Sequence, residues 1–141
     1  MRFLLDTNVI SETAKATPHE GVAAWLDGLS FDAAYIPAVS MMELRYGVER
    51  LPAGRRREAL ARWIDVDLPS RFAGRVLAID ESVADVGGRL WARAVREGRT
   101  PDLVDVMIAA MAVVHDLALA TRNTRDFAAY DVRLVDPWEM G

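Results

Sequence analysis

Five short apolar segments, separated by longer segments with helical patterning, most constrain how this 141-residue chain can fold. The predicted strands are residues 3–5, 33–36, 75–79, 117–120 and 133–135. Alternation of strands with helices is typical of βαβ units, in which helices cover a parallel sheet. We therefore expect an α/β fold with a short, mostly parallel central sheet.

Length and composition predict one domain over residues 1–141. The chain is 52% hydrophobic and 27% charged, which suits a globular protein with a substantial core. It has no cysteine, which excludes disulfides and thiolate metal sites and fits a reducing compartment. No segment approaches the roughly 20 apolar residues of a membrane span. The first residues enter a strand directly and lack the layout of a signal peptide. We expect a cytoplasmic protein with no membrane partner.

Net charge neither favours nor excludes a nucleic-acid substrate. The formal charge is −4, whereas nucleic-acid binders are more often basic. However, 16 of the 17 basic residues are arginine, and Lys15 is the exception. Arginine is suited to bidentate phosphate contacts. A GC-rich genome, which favours arginine codons, explains the same bias.

Three helical segments carry distinctive patterns. Residues 40–47 begin with Ser40 and Glu43 in the spacing of a capping box. A long helix starts near residue 80, and its Gly87-Gly88 pair conflicts with helix propensity unless it permits a close helix crossing. Residues 106–114 are apolar on every face, which predicts a helix that is buried all round.

Four acids are placed where they could form one site. Asp6 ends the first strand, Glu43 and Asp105 lie in the first turns of helices, and Asp126 follows the fourth strand. Strand carboxyl ends and helix amino ends share one edge of a parallel sheet, so the four side chains can converge there. Clustered carboxylates repel unless one is protonated or they share a cation. A set of oxygen ligands favours Mg²⁺ or Mn²⁺.

Each of these acids also has a structural interpretation. Asp6 could cap the following helix through a side-chain oxygen. Glu43 could serve only the capping box, and Asp105 could simply complement the helix dipole. These alternatives remain open at this point.

Other polar features are interpreted as structural. Asp102, behind Pro101, is predicted to cap the apolar helix. His19 and His115 lie at helix edges and are predicted to be surface or cap residues rather than ligands. The run Arg55-Arg56-Arg57 could contact phosphates but is more typical of a solvated helix face.

Four segments in order resemble the PIN-domain ribonucleases, and among them the VapC-type toxins of bacterial toxin–antitoxin pairs. They are residues 4–11, 40–47, 105–110 and 120–127, and the similarity continues to the closing Val135-Asp136-Pro137-Trp138. The resemblance implies a three-layer α/β/α sandwich. It also implies an Mg²⁺-dependent endoribonuclease, with Mn²⁺ as a possible substitute.

The resemblance assigns a catalytic set of Asp6, Glu43, Asp105 and Asp126. Asp6 and Asp105 match the metal-binding aspartates, and Glu43 matches the acid of the third helix. Some family members carry an aspartate where this chain has Asn123, and others use the aspartate before phenylalanine, here Asp126. The resemblance leaves open which of the two completes the site.

The resemblance also implies partners. The substrate would be RNA, and Thr7 could hydrogen-bond a carboxylate or the phosphate. A small antitoxin would insert a segment into a groove near the acids and bind the region from residue 48 to 68. Leu60 and Trp63 in that region could contact the antitoxin or belong to the core. The toxin would form a homodimer or a toxin–antitoxin hetero-oligomer.

Two other functions share features with this sequence: an aspartyl-phosphate phosphatase or receiver domain, and a non-catalytic partner-binding module. Aspartyl-phosphate phosphatases also end their first strand in aspartate but usually show Asp-x-Asp, and here the third position is Asn8. Receiver domains usually place two acids together, whereas Asp6 stands alone in its segment. A non-catalytic partner-binding module would tolerate damage to the acidic set, and Asp6, Glu43 and Asp105 are all present.

Overall fold

The computed structural model describes residues 1–140 and contains one five-stranded parallel sheet in those residues. The strands coincide with the predicted segments: β1 has the predicted bounds, β2 is shifted by one residue, and the other three are shorter. Their bounds are β1 Phe3–Leu5, β2 Ala34–Pro37, β3 Val76–Leu77, β4 Ala118–Ala120 and β5 Leu134–Val135. The predicted α/β class is confirmed, and every strand pair is parallel.

Helices connect the strands. Their bounds are α1 Thr7–Glu12, α2 Glu20–Asp27, α3 Ala38–Glu49, α4 Arg55–Arg62, α5 Leu68–Arg71, α6 Glu81–Arg96, α7 Leu103–Val114 and α8 Thr124–Phe127. A π-helical turn, Trp63–Asp67, joins α4 to α5, and a 3₁₀ turn, Ala128–Tyr130, follows α8. Within residues 1–140, every helix is too short or too polar to cross a membrane.

The sheet divides the core into two layers, as the predicted three-layer sandwich requires. Along β1, Leu4 points to one face, and Phe3 and Leu5 point to the other, because strand side chains alternate. Leu4 packs with α6 and α7, while Phe3 and Leu5 pack with α1, α2 and α5. The strands are therefore buried from both sides, which explains their continuous apolar runs.

The strand order places a crevice beside β1. The order is β3-β2-β1-β4-β5, so the chain builds outward on one side of β1 and then crosses to the other side. Open α/β sheets bind ligands at such a switch point, outside the carboxyl ends of the strands. Leu5 of β1 is in register with Ala120 of β4. The residues that follow them, Asp6 and Thr121, therefore face the crevice together.

The predicted capping box at Ser40 and Glu43 is wrong. Helix α3 begins at Ala38, and its N-cap is Pro37 in an extended conformation. Ser40 is thus inside the first turn and fully buried, and Glu43 lies in the second turn rather than the first. Pro37 closes β2 and begins the helix directly, so the helix starts two residues earlier than its polar residues suggest.

The two apolar helices α6 and α7 pack against each other, but glycine is not required for their contact. A Cβ added at Gly87 would lie 3.7 Å from the Ala110 Cβ, which is an ordinary contact. Gly88 faces open space. The prediction that α7 is buried all round holds for its centre only, because Leu103 and Val113 are 47% and 43% exposed.

The polar residues that were interpreted as structural have structural roles. Asp102 is the N-cap of α7, and His19 is the N-cap of α2, where its Nδ1 accepts from the backbone N–H groups of the first turn. His115 is the C-cap of α7. In the arginine run, Arg57 pairs with Glu49, with an N–O distance of 2.6 Å.

Candidate active site

Asp6 is fixed at both carboxylate oxygens. It follows β1 and is the N-cap of α1, where its Oδ1 accepts from the Thr7 backbone N–H at 2.8 Å. Its Oδ2 accepts from the Thr121 hydroxyl at 2.7 Å. Asp6 is only 5% exposed. The cap interpretation of Asp6 is therefore correct, and it leaves the second oxygen turned toward the switch point.

Thr121 also belongs to the site, although the sequence predicted only a turn at this position. It is fully buried directly after β4, and its hydroxyl also accepts from the Asn123 backbone N–H at 3.0 Å. Asn123 thus contributes its backbone to this network, while its side chain is exposed. The position of Thr121 could have identified it, because the residue after β4 must lie beside the residue after β1.

Glu43 is oriented by a chain of hydroxyl groups. The Thr7 hydroxyl donates to Glu43 Oε1 at 2.6 Å and lies 2.8 Å from the Ser40 hydroxyl. Because the single Thr7 proton goes to the carboxylate, Ser40 must be the donor to Thr7. The predicted hydrogen bond from Thr7 to a carboxylate is present. Ser40, assigned to a helix cap from the sequence, instead supports the site.

The environment of Asp105 differs from that of Glu43, whose carboxylate accepts a hydrogen bond. Asp105 lies in the first turn of α7, where its backbone N–H donates to the Asp102 side chain at 3.1 Å. No donor within residues 1–140 reaches its carboxylate. Burial of this carboxylate, together with the neighbouring negative charges, raises its pKa to about 7. Those charges belong to Asp102, Asp6, Asp126 and Glu43.

The charges of the predicted acids act on the pKa values of Asp6 and Asp105. Burial raises the pKa of Asp6, hydrogen bonds from Thr121 and Thr7 oppose the rise, and the charges of Glu43 and Asp126 add to it. Asp126 is exposed on α8. The acids therefore converge on the switch point, although they come from four separate segments.

Two openings adjoin these acids. The cleft, of about 510 Å³, contains Asp105 and Asp126 and is lined by Arg99, Thr100, Pro101, Asp102, Asp105, Arg125, Asp126 and Tyr130. The groove, of about 750 Å³, has Thr7 and Glu43 at its edge and is otherwise mostly apolar. It is lined by Thr7, Ser11, Ala14, Lys15, Ala16, Glu43, Leu44, Gly47, Val48, Arg56, Ala59, Leu60, Trp63 and Ile64.

The acids do not form a closed metal cage. In the part of the chain from residue 1 to 140, no three acidic, histidine or cysteine side chains are grouped closely enough to hold an ion between them. Mutual repulsion keeps carboxylates apart. The site is thus an open, acidic surface at the carboxyl edge of the sheet, with oxygen atoms as its only potential ligands among these four residues.

An all-parallel α/β sheet with carboxylates at its switch point defines the class of the protein. The sequence model of the PIN domain matches residues 3–133. The chain belongs to the PIN domain family.

Named relatives cover nearly the whole chain. Toxin FitB of Neisseria gonorrhoeae is 41% identical over 136 residues, which are 96% of this chain and 98% of that protein. The VapC ribonuclease Y4jK of Sinorhizobium fredii is 38% identical over 137 residues, covering 97% and 98%. The crystal structure of FitAcB from Neisseria gonorrhoeae matches with a TM-score of 0.90 at 40% identity, covering 97% of this chain and 99% of that chain.

Proposed function

We propose that the protein is a metal-dependent endoribonuclease and the toxin of a type II toxin–antitoxin pair. We treat residues 1–141 as one PIN-like domain that acts in the cytoplasm on RNA phosphodiester bonds. The observation that carries the proposal is the convergence of Asp6, Glu43, Asp105 and Asp126 on one edge of the sheet. Family membership and relatives named as a ribonuclease and a toxin support it.

The donor set fits a hard divalent ion. Mg²⁺ is usually bound by one or two carboxylates and keeps several of its waters, so an open site suits it better than a closed cage. Asp6 and Asp105 would hold Mg²⁺, with Mn²⁺ as a substitute. Burial and the repulsion between the acids raise the pKa of both aspartates, and a bound cation would oppose both effects. Such an ion supplies a water of lowered pKa and offsets the charge of the phosphate.

The protein's own residues orient the other reaction components. Thr7 donates to Glu43 Oε1, which holds the exposed carboxylate in place and leaves Oε2 available to accept a proton from the attacking water. Thr121 holds Asp6 Oδ2 in the same way. Asp126 is positioned on α8 to complete the acidic edge, and Asn123 contributes a backbone contact only.

The groove fits the predicted antitoxin. Six of its fourteen lining residues lie in the region from residue 48 to 68 that the sequence assigned to the partner, and the others come from residues 7–16 and 43–47. Leu60 and Trp63 line it and are partly exposed, so they are available to an incoming apolar side chain. Lys15 and Arg56 add positive charge, which favours a partner segment that carries acidic residues.

The proposal is tested by RNA cleavage with the purified chain. We expect Mg²⁺ or Mn²⁺ to support cleavage of total host RNA and a chelator to stop it. Asp6→Asn should abolish cleavage, while Asp27→Asn, an exposed aspartate at the end of α2, should cleave like the wild type. Thermal unfolding would verify that both variants fold.

Two results would contradict the proposal. One is a folded wild-type protein that cleaves no RNA with either metal. The other is Asp6→Asn cleaving at the wild-type rate and still inhibiting growth. If the wild type bound a partner but cleaved nothing, the partner-binding module would replace the enzyme as the function.

A further inference from the structure

The end of helix α6 fixes Arg99 at the cleft. Gly98 adopts φ +79°, a conformation that glycine takes at low cost, and the Arg99 backbone N–H then donates to the Ala94 carbonyl at 2.9 Å. This is the pattern of a Schellman motif, which sets the direction of the chain as it leaves a helix. Arg99 is consequently the first side chain of the cleft wall.

The Arg99 side chain stacks on a buried aromatic ring. Its guanidinium carbon lies 5.2 Å from the centre of the Tyr130 ring, and Tyr130 is 2% exposed. Burial raises the pKa of the Tyr130 hydroxyl, and the charge of Arg99 and a hydrogen bond from its side chain oppose that rise. Tyr130 therefore holds the Arg99 guanidinium at the wall of the cleft through both its ring and its hydroxyl.

Arg99 is not bonded to the acids that it faces. Among residues 1–140 its ion pair is with Glu97, at 3.0 Å, and that pair is partly solvent-exposed. Exposed pairs of this kind contribute little. Its Nε is buried without a hydrogen-bond partner in those residues, as is the Nε of Arg93, so only the terminal nitrogens of Arg99 can reach a ligand. A planar cation whose ion pair in residues 1–140 is with a neighbour in the chain thus lines the same cleft as Asp105 and Asp126.

Arg93, six residues earlier in α6, shows what a structural arginine looks like here. Its Nη1 contacts Asp131 at 3.3 Å, and its Nη2 donates to the Ala129 carbonyl at 3.0 Å. Both terminal nitrogens of Arg93 thus tie α6 to the turn after α8. Arg99 has no such pair of links through its terminal nitrogens in residues 1–140, and its ion pair is with Glu97, two residues before it in the chain.

We propose that Arg99 binds a phosphate of the RNA substrate in the cleft, with Tyr130 as the residue that positions it. The inference rests on the proposed ribonuclease function. RNA that approaches Asp102, Asp105 and Asp126 brings more negative charge, and a guanidinium matches two phosphate oxygens at once. Arg125, exposed on the opposite wall, adds a second positive charge.

The test separates phosphate binding from metal binding. In an Asp6→Asn background, which prevents cleavage, the affinity for a single-stranded RNA oligonucleotide is measured at several salt concentrations. Arg99→Met should weaken binding about 10- to 100-fold at low salt. It should also reduce the slope of log affinity against log salt by about 0.7, the value for one lost phosphate contact on a single strand. Arg99→Lys should restore the slope because it keeps the charge.

Arg93→Met is the matched control and should leave the salt slope unchanged. In the otherwise native chain, Arg99→Met should lower kcat/KM for RNA while the affinity for Mn²⁺ stays the same. The inference is overturned if Arg99→Met has the salt slope of Arg93→Met, or if it changes Mn²⁺ affinity. Absence of cleavage by the wild type would instead defeat the proposed ribonuclease function, so the two failures are distinguishable.

Discussion

The cleft and the groove adjoin different members of the acidic set and differ in chemistry. The cleft is lined largely by charged residues, and its Asp105 has no hydrogen-bond donor in the described chain. The groove is mostly apolar, and its Glu43 is held by Thr7. The cleft is suited to a charged substrate, and the groove is suited to a protein segment. Under the proposed function, catalysis would use the cleft and antitoxin binding would use the groove.

The largest effect is expected from a substitution that alters the cleft and leaves the groove intact. Asp105→Asn should reduce RNA cleavage by at least about 100-fold, because it removes a charged ligand of the proposed metal ion. It should leave partner binding unchanged, since Asp105 does not line the groove. Cleavage assays and calorimetric titration with the antitoxin would measure the two effects. Loss of both activities together would indicate one shared surface instead of two.

The next largest effect is expected from a substitution that alters the groove and leaves the cleft intact. Leu60→Asp places a charge among apolar side chains and should weaken antitoxin binding by about 30-fold or more, with RNA cleavage unchanged. We expect a neighbouring reading frame to encode the antitoxin, and its product would be the partner in this experiment. Val66→Asp is the matched control, because Val66 is 50% exposed and lies outside the groove. Equal binding by the two variants would exclude the groove as the antitoxin site.

The cleft also predicts how stability depends on pH in the metal-free protein. The pKa of Asp105 is 3.8 in the reference state and about 7 in the folded protein, so the folded state binds its proton more tightly. Stability conferred by that proton is present at low pH and is lost as pH rises from about 4 to 7. With allowance for solvent screening of a half-buried group, the loss is about 1–2 kcal/mol.

Asp105→Asn should remove that loss. Urea unfolding in the presence of a chelator should show the variant more stable than the wild type at pH 8 and equal to it near pH 4. Because both proteins share all other titrating groups, the difference between them reports Asp105. A wild-type protein that equals the variant at pH 8 would mean that Asp105 is already ionised without cost.

The smallest effect is expected from loss of the hydrogen bond between Thr7 and Glu43, which both line the groove. Thr7→Val removes the donor to Glu43 and the acceptor for buried Ser40. We expect a loss of about 1 kcal/mol in the free energy of unfolding and about a fivefold slower cleavage. Thr7→Ser keeps the hydroxyl and should behave like the wild type. If Thr7→Val cleaved RNA at full rate, orientation of Glu43 by Thr7 would have no role in turnover.

Much of the fold could be predicted because its determinants are local or periodic. Runs such as Leu117-Ala118-Leu119-Ala120 can only be buried on both sides, and Asp80 and Asp102 are ordinary N-caps. The start of α3 could not be predicted in this way. Ser40 and Glu43 have the spacing of a cap, yet the tertiary contact with Thr7 decides their roles.

The acids were easier to predict than the residues that support them. An aspartate at a strand end is conspicuous, whereas Thr121 resembles any turn threonine until β4 is known to lie beside β1. Arg99 and Tyr130 were overlooked for a similar reason. Their partnership depends on where α6 ends relative to the turn after α8, and no periodicity in the sequence encodes that distance.

The central position of β1 has a consequence for the timing of synthesis. The segment that carries Asp6 emerges early, but its hydroxyl partner Thr121 lies 115 residues later. A nascent chain that has not yet reached β4 has no neighbour for β1 on that side of the sheet and therefore no assembled acidic edge. The acidic edge therefore cannot assemble until the ribosome has added the segment that carries β4 and Thr121.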